Sequence, residues 1–563
     1  MAPAAFLFLL CFSLASALNL HHMSADDQDR LLNQQAKGAK VAAVTFGFAR
    51  HFQNHMVLQR APQRANIYGF SPTIGQKVTL QLVTVPATRT YSYETTVHQD
   101  GSAGAWNFVL DPFAAGITVN IRVDSGGESH NISDVIFGDV WVCSGQSNMQ
   151  MTVFQIDGAA EEIADANNYP NIRVMTVNDN ESPTPLNNLI ALSESWSRAS
   201  SASIGHGAWS YFSAVCWLFG KAIFKARHIP IGLVDTDWGG TPVKAWSSPE
   251  ALAHCGVHHD EPSDQPESYT EYLKHVPLED RHRLEGPGNS SVLWNSMVHP
   301  LLGMTIYGAI WYQGEGDSGG VARDKYNCTF PTMIKDWRSN WNMASNGQTS
   351  ATFPFGFVQL APNHPSPGST SGFTDIRWHQ TADRGYVPNP DMPNVFMAVA
   401  LDLPDFNSTY GSVHPRYKRD VGARLALSGL AVAYHQSGIF QGPLPTGSHA
   451  SASGLIVDYG NTWKLSVVIN DGFEVQCAHL RWVADPIVAH TNTTVTLKPN
   501  VCHAGEKITG LRYAWSESPC ALHRCAIYEA SHNLPGPPFI SYADFDPNGE
   551  PYFTFNHQTH IRN

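Results

Sequence analysis

Apolar positions along the chain change their spacing three times. From about residue 41 to 130 they fall in short runs, at 41–48, 78–83 and 117–123, alternating or continuous and punctuated by Gly and Pro. That pattern predicts the strands of a β-sandwich-like module. From about residue 134 the runs become continuous, as in buried strands, and alternate with helical spacing. Residues 137–143, 231–235, 304–312, 355–360 and 395–401 read as strands, and residues 214–226 and 421–434 as helices. Residues 149–164 are compatible with a further helix. Strands alternating with helices predict an α/β fold with a parallel sheet. Residues 247–290 are rich in His, Pro, Glu and Asp and read as an insertion. From about residue 442 strand-like runs return, at 465–469 and 494–497, and predict a second β domain. The expected layout is a leader at 1–17, an N-terminal β domain at 41–133, an α/β domain at 134–435 and a C-terminal β domain at 436–563, the two flanking domains being sandwich-like.

Composition narrows the class. A chain of 563 residues exceeds one ordinary core, so two to four domains are expected. With 43% hydrophobic and 15% charged residues it is globular. The net charge of −13 does not favour nucleic acid or an anionic membrane surface. The N-terminus is apolar and ends in Ala15-Ser16-Ala17, a small-residue cleavage pattern, and is too short to span a bilayer. A signal peptide is expected and no membrane insertion. Beyond Cys11 there remain Cys143, Cys216, Cys255, Cys328, Cys477, Cys502, Cys520 and Cys525. An even number in an oxidising compartment predicts disulfides whose pairing the sequence leaves open. Asn-x-Ser/Thr sequons at Asn131, Asn180, Asn289, Asn327, Asn407 and Asn492 add the expectation of a glycoprotein. The expected location is the secretory pathway, secreted or lysosomal.

Polar residues appear abruptly after four of the expected strands. Strand, Gly145, Ser147 and helix is the arrangement that exposes a nucleophilic hydroxyl at a helix N-terminus. Asp235 to Thr241, with Gly239 and Gly240, follows the second strand. Gln313 to Asp317 follows the third. Asp402 follows the last, and His414 lies twelve residues on. If the strands are parallel, these groups meet at one sheet edge. A serine, glycine-rich backbone, an amide, an acid and a histidine compose a serine hydrolase site. Ser147 is then the nucleophile and His414 its base. Asp402 or Asp405 would fix the imidazole tautomer. The N–H of Ser147, the N–H of Gly239 or Gly240 and the amide of Gln313 would bind the oxyanion. His254, Cys255, His258, His259 and Asp260 carry metal-ligand chemistry without a regular spacing, and Cys255 is expected in a disulfide instead.

Four motifs in order carry a resemblance: Gly145-Gln146-Ser147-Asn148-Met149, Trp238-Gly239-Gly240-Thr241, Trp311-Tyr312-Gln313-Gly314-Glu315 and Val413-His414-Pro415-Arg416-Tyr417-Lys418. Met56 to Arg60 adds to them. On these the chain resembles sialate O-acetylesterases of the SGNH hydrolase superfamily, from about residue 45 to the C-terminal β domain. The resemblance implies an SGNH-type three-layer domain and removal of O-acetyl groups from a sialic acid or sialoglycan through an acetyl-enzyme, with no metal or organic cofactor. It implies Ser147 as nucleophile, His414 as base, and Gly240 and Gln313 as oxyanion donors, Gln313 replacing the superfamily's commoner asparagine. Gln146, Asn148, Glu315, Arg377 and Arg416 are the expected substrate-binding side chains, with Lys244 and Lys418 as further sources of positive charge. The superfamily's acid commonly precedes its histidine by three residues. Here that position is Gly411, which leaves Asp402, slightly favoured, and Asp405. Two other readings are an esterase for another acetylated glycan, such as acetyl xylan, and a catalytically inactive glycan-binding protein.

Overall fold

One strand joins two parts of the molecule. β1 (Glu128–Gly145) is exposed over Glu128–Asn131 and wholly buried from Val135 onward. Its first half pairs antiparallel with Thr118–Ser125 and parallel with Val57–Gln59, inside the N-terminal β region. Its second half, mostly apolar around the buried Asp139, is the kind of strand a parallel sheet buries on both faces. The domain boundary expected at 133/134 therefore falls inside one continuous strand. The structure is a computed structural model that describes residues 44–101, 103–257, 267–276, 281, 284–365, 368–479, 481–542, 544–545 and 551–555. The leader with Cys11, the start of the 41–48 run, and His258, His259 and Asp260 lie outside the described residues.

The central sheet adds β2 (Ile172–Val177), β3 (Leu192–Arg198), β4 (Ile231–Asp237), β5 (Gly308–Tyr312), β6 (Phe355–Gln359) and β7 (Val395–Val399). Their order is β3-β2-β4-β1-β5-β6-β7. All neighbours are parallel except β3, which runs antiparallel to β2. The sheet is thus mixed. The sequence of β3, LSESWSR, buries only Trp196, as suits an edge strand, and carries no apolar run to predict it. Because β1, β4, β5 and β7 end on the same side, the polar residues that follow them meet there.

Four helices matter for the site: α1 (Ser147–Gln150), α2 (Ala214–Arg227), α3 (Gly320–Ala344) and α4 (Lys418–Val432). The single helix expected over 149–164 is broken. The chain leaves α1 at Met151 and forms a bridge between Thr152 and Ser213. It then makes one 3₁₀ turn (Val153–Gln155) and restarts as a helix at Ala159–Asp165 after Gly158 in a left-handed conformation. Helix α3 is not among the helices expected above, and it carries Pro331 inside it. Its buried Tyr326, Phe330, Ile334, Trp337 and Trp341 nevertheless repeat every three or four residues, the spacing of a core-facing stripe.

Among the described residues four disulfides form: Cys143–Cys216, Cys255–Cys328, Cys477–Cys502 and Cys520–Cys525. The first ties β1 to α2 just before the nucleophile turn. Beyond residue 446 the chain is β-rich, in antiparallel sheets. Among the described residues no helix is long and apolar enough to cross a membrane.

Candidate active site

At the end of β1 the chain turns at Gly145, φ +143°, where a Cβ would stand 2.2 Å from the Tyr312 carbonyl oxygen of β5. Only glycine fits so close an approach at that φ. The next N–H, of Gln146, donates to the same Tyr312 carbonyl at 3.0 Å. The side-chain oxygen of Gln146 accepts from the Gly316 N–H at 3.0 Å. The turn is thus stitched to β5 on both sides. Ser147 opens α1, so its main-chain N–H has no carbonyl four residues upstream to receive it.

The Ser147 hydroxyl meets Nε2 of His414 at 2.8 Å, and both side chains have no exposed surface. Nδ1 of His414 lies 2.5 Å from the main-chain carbonyl of Tyr410. A carbonyl only accepts, so Nδ1 carries the proton and Nε2 offers its lone pair to the serine O–H. Burial, aided by the charge of Lys418 and opposed by the Tyr410 carbonyl, pushes the imidazole down to about 3. The ring is therefore neutral at physiological pH. The indole of Trp209 stands edge-on to it, centroids 4.9 Å apart. Trp209 holds φ +58°, costly for an aromatic residue, and its N–H donates to Oε1 of Gln155 at 3.0 Å.

Asn148 links the nucleophile's helix to the base's turn. Its amide donates to the Val413 carbonyl at 2.8 Å and to Oε1 of Glu315 at 2.6 Å, and its oxygen accepts from Nζ of Lys418 at 2.6 Å. Burial pushes Glu315 up to about 7 and Lys418 down to about 7, each drawn part-way back by the other's charge. Glu315, expected to touch substrate, gives Oε1 to this buried chain and keeps Oε2 without a hydrogen-bond partner among the described residues, whereas Asn148, also expected there, is spent on it. So is Gln146 on the turn.

Other expectations change with the geometry. Neither expected acid reaches His414. Both oxygens of Asp402 are taken by Arg424, at 2.6 and 3.0 Å, and one also by the Tyr528 hydroxyl at 3.0 Å. Asp405 is clamped by the Arg416 guanidinium at 2.7 and 3.0 Å. Arginine forks hold both carboxylates, and Nδ1 of His414 meets the Tyr410 carbonyl instead. Gln313 has no hydrogen left for an oxyanion: its amide donates to the Thr241 carbonyl at 3.1 Å and to Asp317 at 2.5 Å. Its own oxygen accepts from the Tyr326 hydroxyl at 2.9 Å. It holds the Gly239–Thr241 loop against β5. The Gly239 N–H donates to Gln150 at 2.9 Å, which removes it as an oxyanion donor. Gly240 follows with φ +73°. Arg377 is fully buried and grips the carbonyls of Leu360, Ser516 and Glu517 at 2.7, 2.8 and 2.9 Å, so it holds the C-terminal domain and is closed to substrate. Lys244 and Lys418 are buried too. Arg416 keeps partial exposure beside its carboxylate.

Two further acids lie next to α1. Asp235 and Asp237, on one face of β4, are buried against each other. Burial raises Asp235 to about 6, and burial with the charge of Asp235 raises Asp237 well above the carboxylate range. Asp235 accepts from the Ser213 N–H at 3.2 Å, and the Ser213 hydroxyl donates to the Met149 carbonyl at 2.6 Å. Tyr410 and Trp209 escaped the sequence reading. The first acts through its backbone, which no residue type encodes. The second lies in a loop without a motif. Of the sequon asparagines, Asn131, Asn289, Asn407 and Asn492 are exposed. Asn180 and Asn327 are half-buried, with amides donating to Asn178 and Asp383.

Residues 137–428 match the family model for carbohydrate esterase, sialic acid-specific acetylesterase, and residues 446–543 that for the sialate O-acetylesterase C-terminal domain. The chain is 41% identical over 526 residues to the sialate O-acetylesterase of Mus musculus, covering 90% of this chain and 96% of that one. It is 41% identical over 515 residues to that of Homo sapiens, covering 89% and 93%. A carbohydrate acetylesterase from Xanthomonas citri shares the fold, with a TM-score of 0.69 at 24% identity over 88% of this chain and 99% of that one. A relative so similar over nearly its whole length, and a model spanning β1 to α4, leave one assignment: the chain belongs to the sialate O-acetylesterase family and is a carboxylic ester hydrolase.

Proposed function

We propose that the chain removes O-acetyl groups from sialic acids through an acetyl-enzyme on Ser147. The observation that carries the reading is the 2.8 Å contact from Ser147 to a neutral His414 whose tautomer leaves Nε2 open. His414 takes the serine proton as Oγ attacks the acetyl carbon, and the Ser147 and Gly240 main-chain N–H groups receive the oxyanion. His414 then hands the proton to the sugar oxygen as the C–O bond breaks. Water, deprotonated by the same Nε2, releases acetate and restores Ser147. The Tyr410 carbonyl supports the imidazolium by its dipole alone. The named relatives support the substrate class. Hydrolysis of O-acetylated sialic acid beside acetyl xylan tests it: preference for the neutral polymer would overturn the sialic acid reading and leave the serine chemistry standing.

The sheet with its helices is assigned to the SGNH three-layer arrangement, flanked by β-sandwich-like domains, the N-terminal one passing into it within β1. Four disulfides and the apolar leader support a secreted or lysosomal glycoprotein. Asn131, Asn289, Asn407 and Asn492 are the exposed acceptors.

A further inference from the structure

Nδ1 of the base meets a main-chain carbonyl, that of Tyr410. Its aim rests on the backbone of the segment from Asp402 to His414, and that segment is held in part from outside the α/β region. At its start, Asp402 accepts from the Tyr528 hydroxyl at 3.0 Å, and its carbonyl accepts from the His523 N–H at 2.9 Å. Near its end, two residues before His414, the Ser412 hydroxyl meets the side-chain oxygen of Asn363 at 3.1 Å. Asn363 follows β6 and is buried; its main-chain N–H donates to Oε1 of Glu517 at 3.2 Å. Glu517 is itself fixed: its carbonyl takes one arm of Arg377 at 2.9 Å and its N–H donates to the Ser369 carbonyl at 2.8 Å. Residues 517, 523 and 528 all fall within the C-terminal domain match.

We infer that the C-terminal β domain belongs to the catalytic apparatus: Glu517, through Asn363 and Ser412, positions His414 against Ser147. The inference rests on reading His414 as the base. Ser412, Asn363 and Glu517 are positioning residues, since each acts through the next and through the main chain of the base's turn. A misplacement near 1 Å at a reacting group lowers turnover about a hundredfold, so loosening one link is expected to lower kcat about tenfold to a hundredfold.

The test uses the full chain with Ser412→Ala, Ser412→Thr and Glu517→Ala, and the double variant Ser412→Ala/Glu517→Ala. Ser412 is half-exposed, so its removal is expected to leave the melting temperature nearly unchanged. With 4-nitrophenyl acetate, Ser412→Ala is expected to lower kcat with KM unchanged, and to slow fluorophosphonate labelling of Ser147 by the same factor. Ser412→Thr, which keeps the hydroxyl, restores both. The double variant is expected to lose no more than the larger single loss, because the two residues act on one chain. Wild-type kcat in Ser412→Ala, a rise in KM alone, no rescue by threonine, or strictly additive losses would overturn the inference. If Glu517→Ala does not fold, the Ser412 pair still decides. His414→Ala separates the underlying reading: if that variant retains full activity, the base assignment fails first.

Discussion

Nδ1 of His414 donates to the main-chain carbonyl of Tyr410 across 2.5 Å, in the place where a serine hydrolase's base ordinarily meets a carboxylate. A carbonyl fixes the tautomer as well as a carboxylate does, but it brings a dipole where the carboxylate brings a full charge. The imidazolium formed during attack is then stabilised less. The buried Lys418, which already lowers the ring's proton affinity, acts in the same direction.

Replacement of the two expected acids separates this arrangement from a triad. Losing a triad carboxylate costs about 10⁴ in kcat. Asp402→Asn and Asp405→Asn are expected to keep kcat within about tenfold, measured per folded molecule by active-site titration. Asp402→Ala leaves Arg424 buried without its partner, and its cost appears in stability, about 3–5 kcal/mol by denaturant unfolding. A drop near 10⁴ in either asparagine variant would restore that carboxylate as the catalytic acid.

Asn148 makes the shortest link between the two halves of the site. Asn148→Ala frees the Val413 carbonyl and strips Glu315 and Lys418 of their common neighbour. The expected result is a fall in kcat of about a hundredfold, with Ser147 labelling slowed equally. Near-wild-type kcat with a raised KM would return Asn148 to substrate binding.

The pH profile follows from the burial of His414. A base held at about 3 remains neutral through pH 5, so the acid limb of kcat/KM is expected below pH 5, where a solvent-exposed histidine would place it near 6.5. The profile from pH 4 to 8 on 4-nitrophenyl acetate checks this. Half-maximal activity at pH 6 to 7 would mean that the imidazole is wetter than the structure has it.

Stability is expected to favour mild acid. Burial raises Asp235 and Asp317 to about 6, Glu315 and Asp485 to about 7, and Glu194 to about 8. Unfolded carboxyls release their protons near pH 4. Between there and the raised values the native state holds more protons than the unfolded one, and stability falls as pH rises. His51 and His414, both pushed down to about 3 by burial, oppose this below about 6.5, since the unfolded histidines then charge and the native ones do not. Five carboxyls outweigh two imidazoles. The melting temperature is therefore expected to rise as pH falls from 7 to 5. A melting temperature that falls from pH 7 to pH 5 would contradict the buried state of these acids.

The sequence shows Ser147 and His414 because strand, glycine and helix boundaries leave marks in residue type. Gln313 and Arg377 stand in contacts that residue type alone does not announce. A polar side chain at a strand end advertises its chemistry, but not which neighbours have already claimed it. Gln313 was spent on Thr241 and Asp317, contacts that span 72 and 4 residues and leave no local pattern. Helix α3 carries the apolar spacing of a buried stripe, but Pro331 inside it is a residue type that ordinarily breaks a helix. The expected acids are aspartates, whereas the acceptor at Nδ1 is a backbone atom that any residue at position 410 would supply.

The most direct measurement is intact-mass and peptide mapping of the full chain after brief reaction with a fluorophosphonate, with wild type beside Ser147→Ala and His414→Ala. The expected result is one adduct on Ser147 in wild type, none in Ser147→Ala, slow labelling in His414→Ala, and loss of 4-nitrophenyl acetate hydrolysis in step. An adduct on another residue, or full hydrolysis by Ser147→Ala with its fold intact, would contradict Ser147 as the nucleophile.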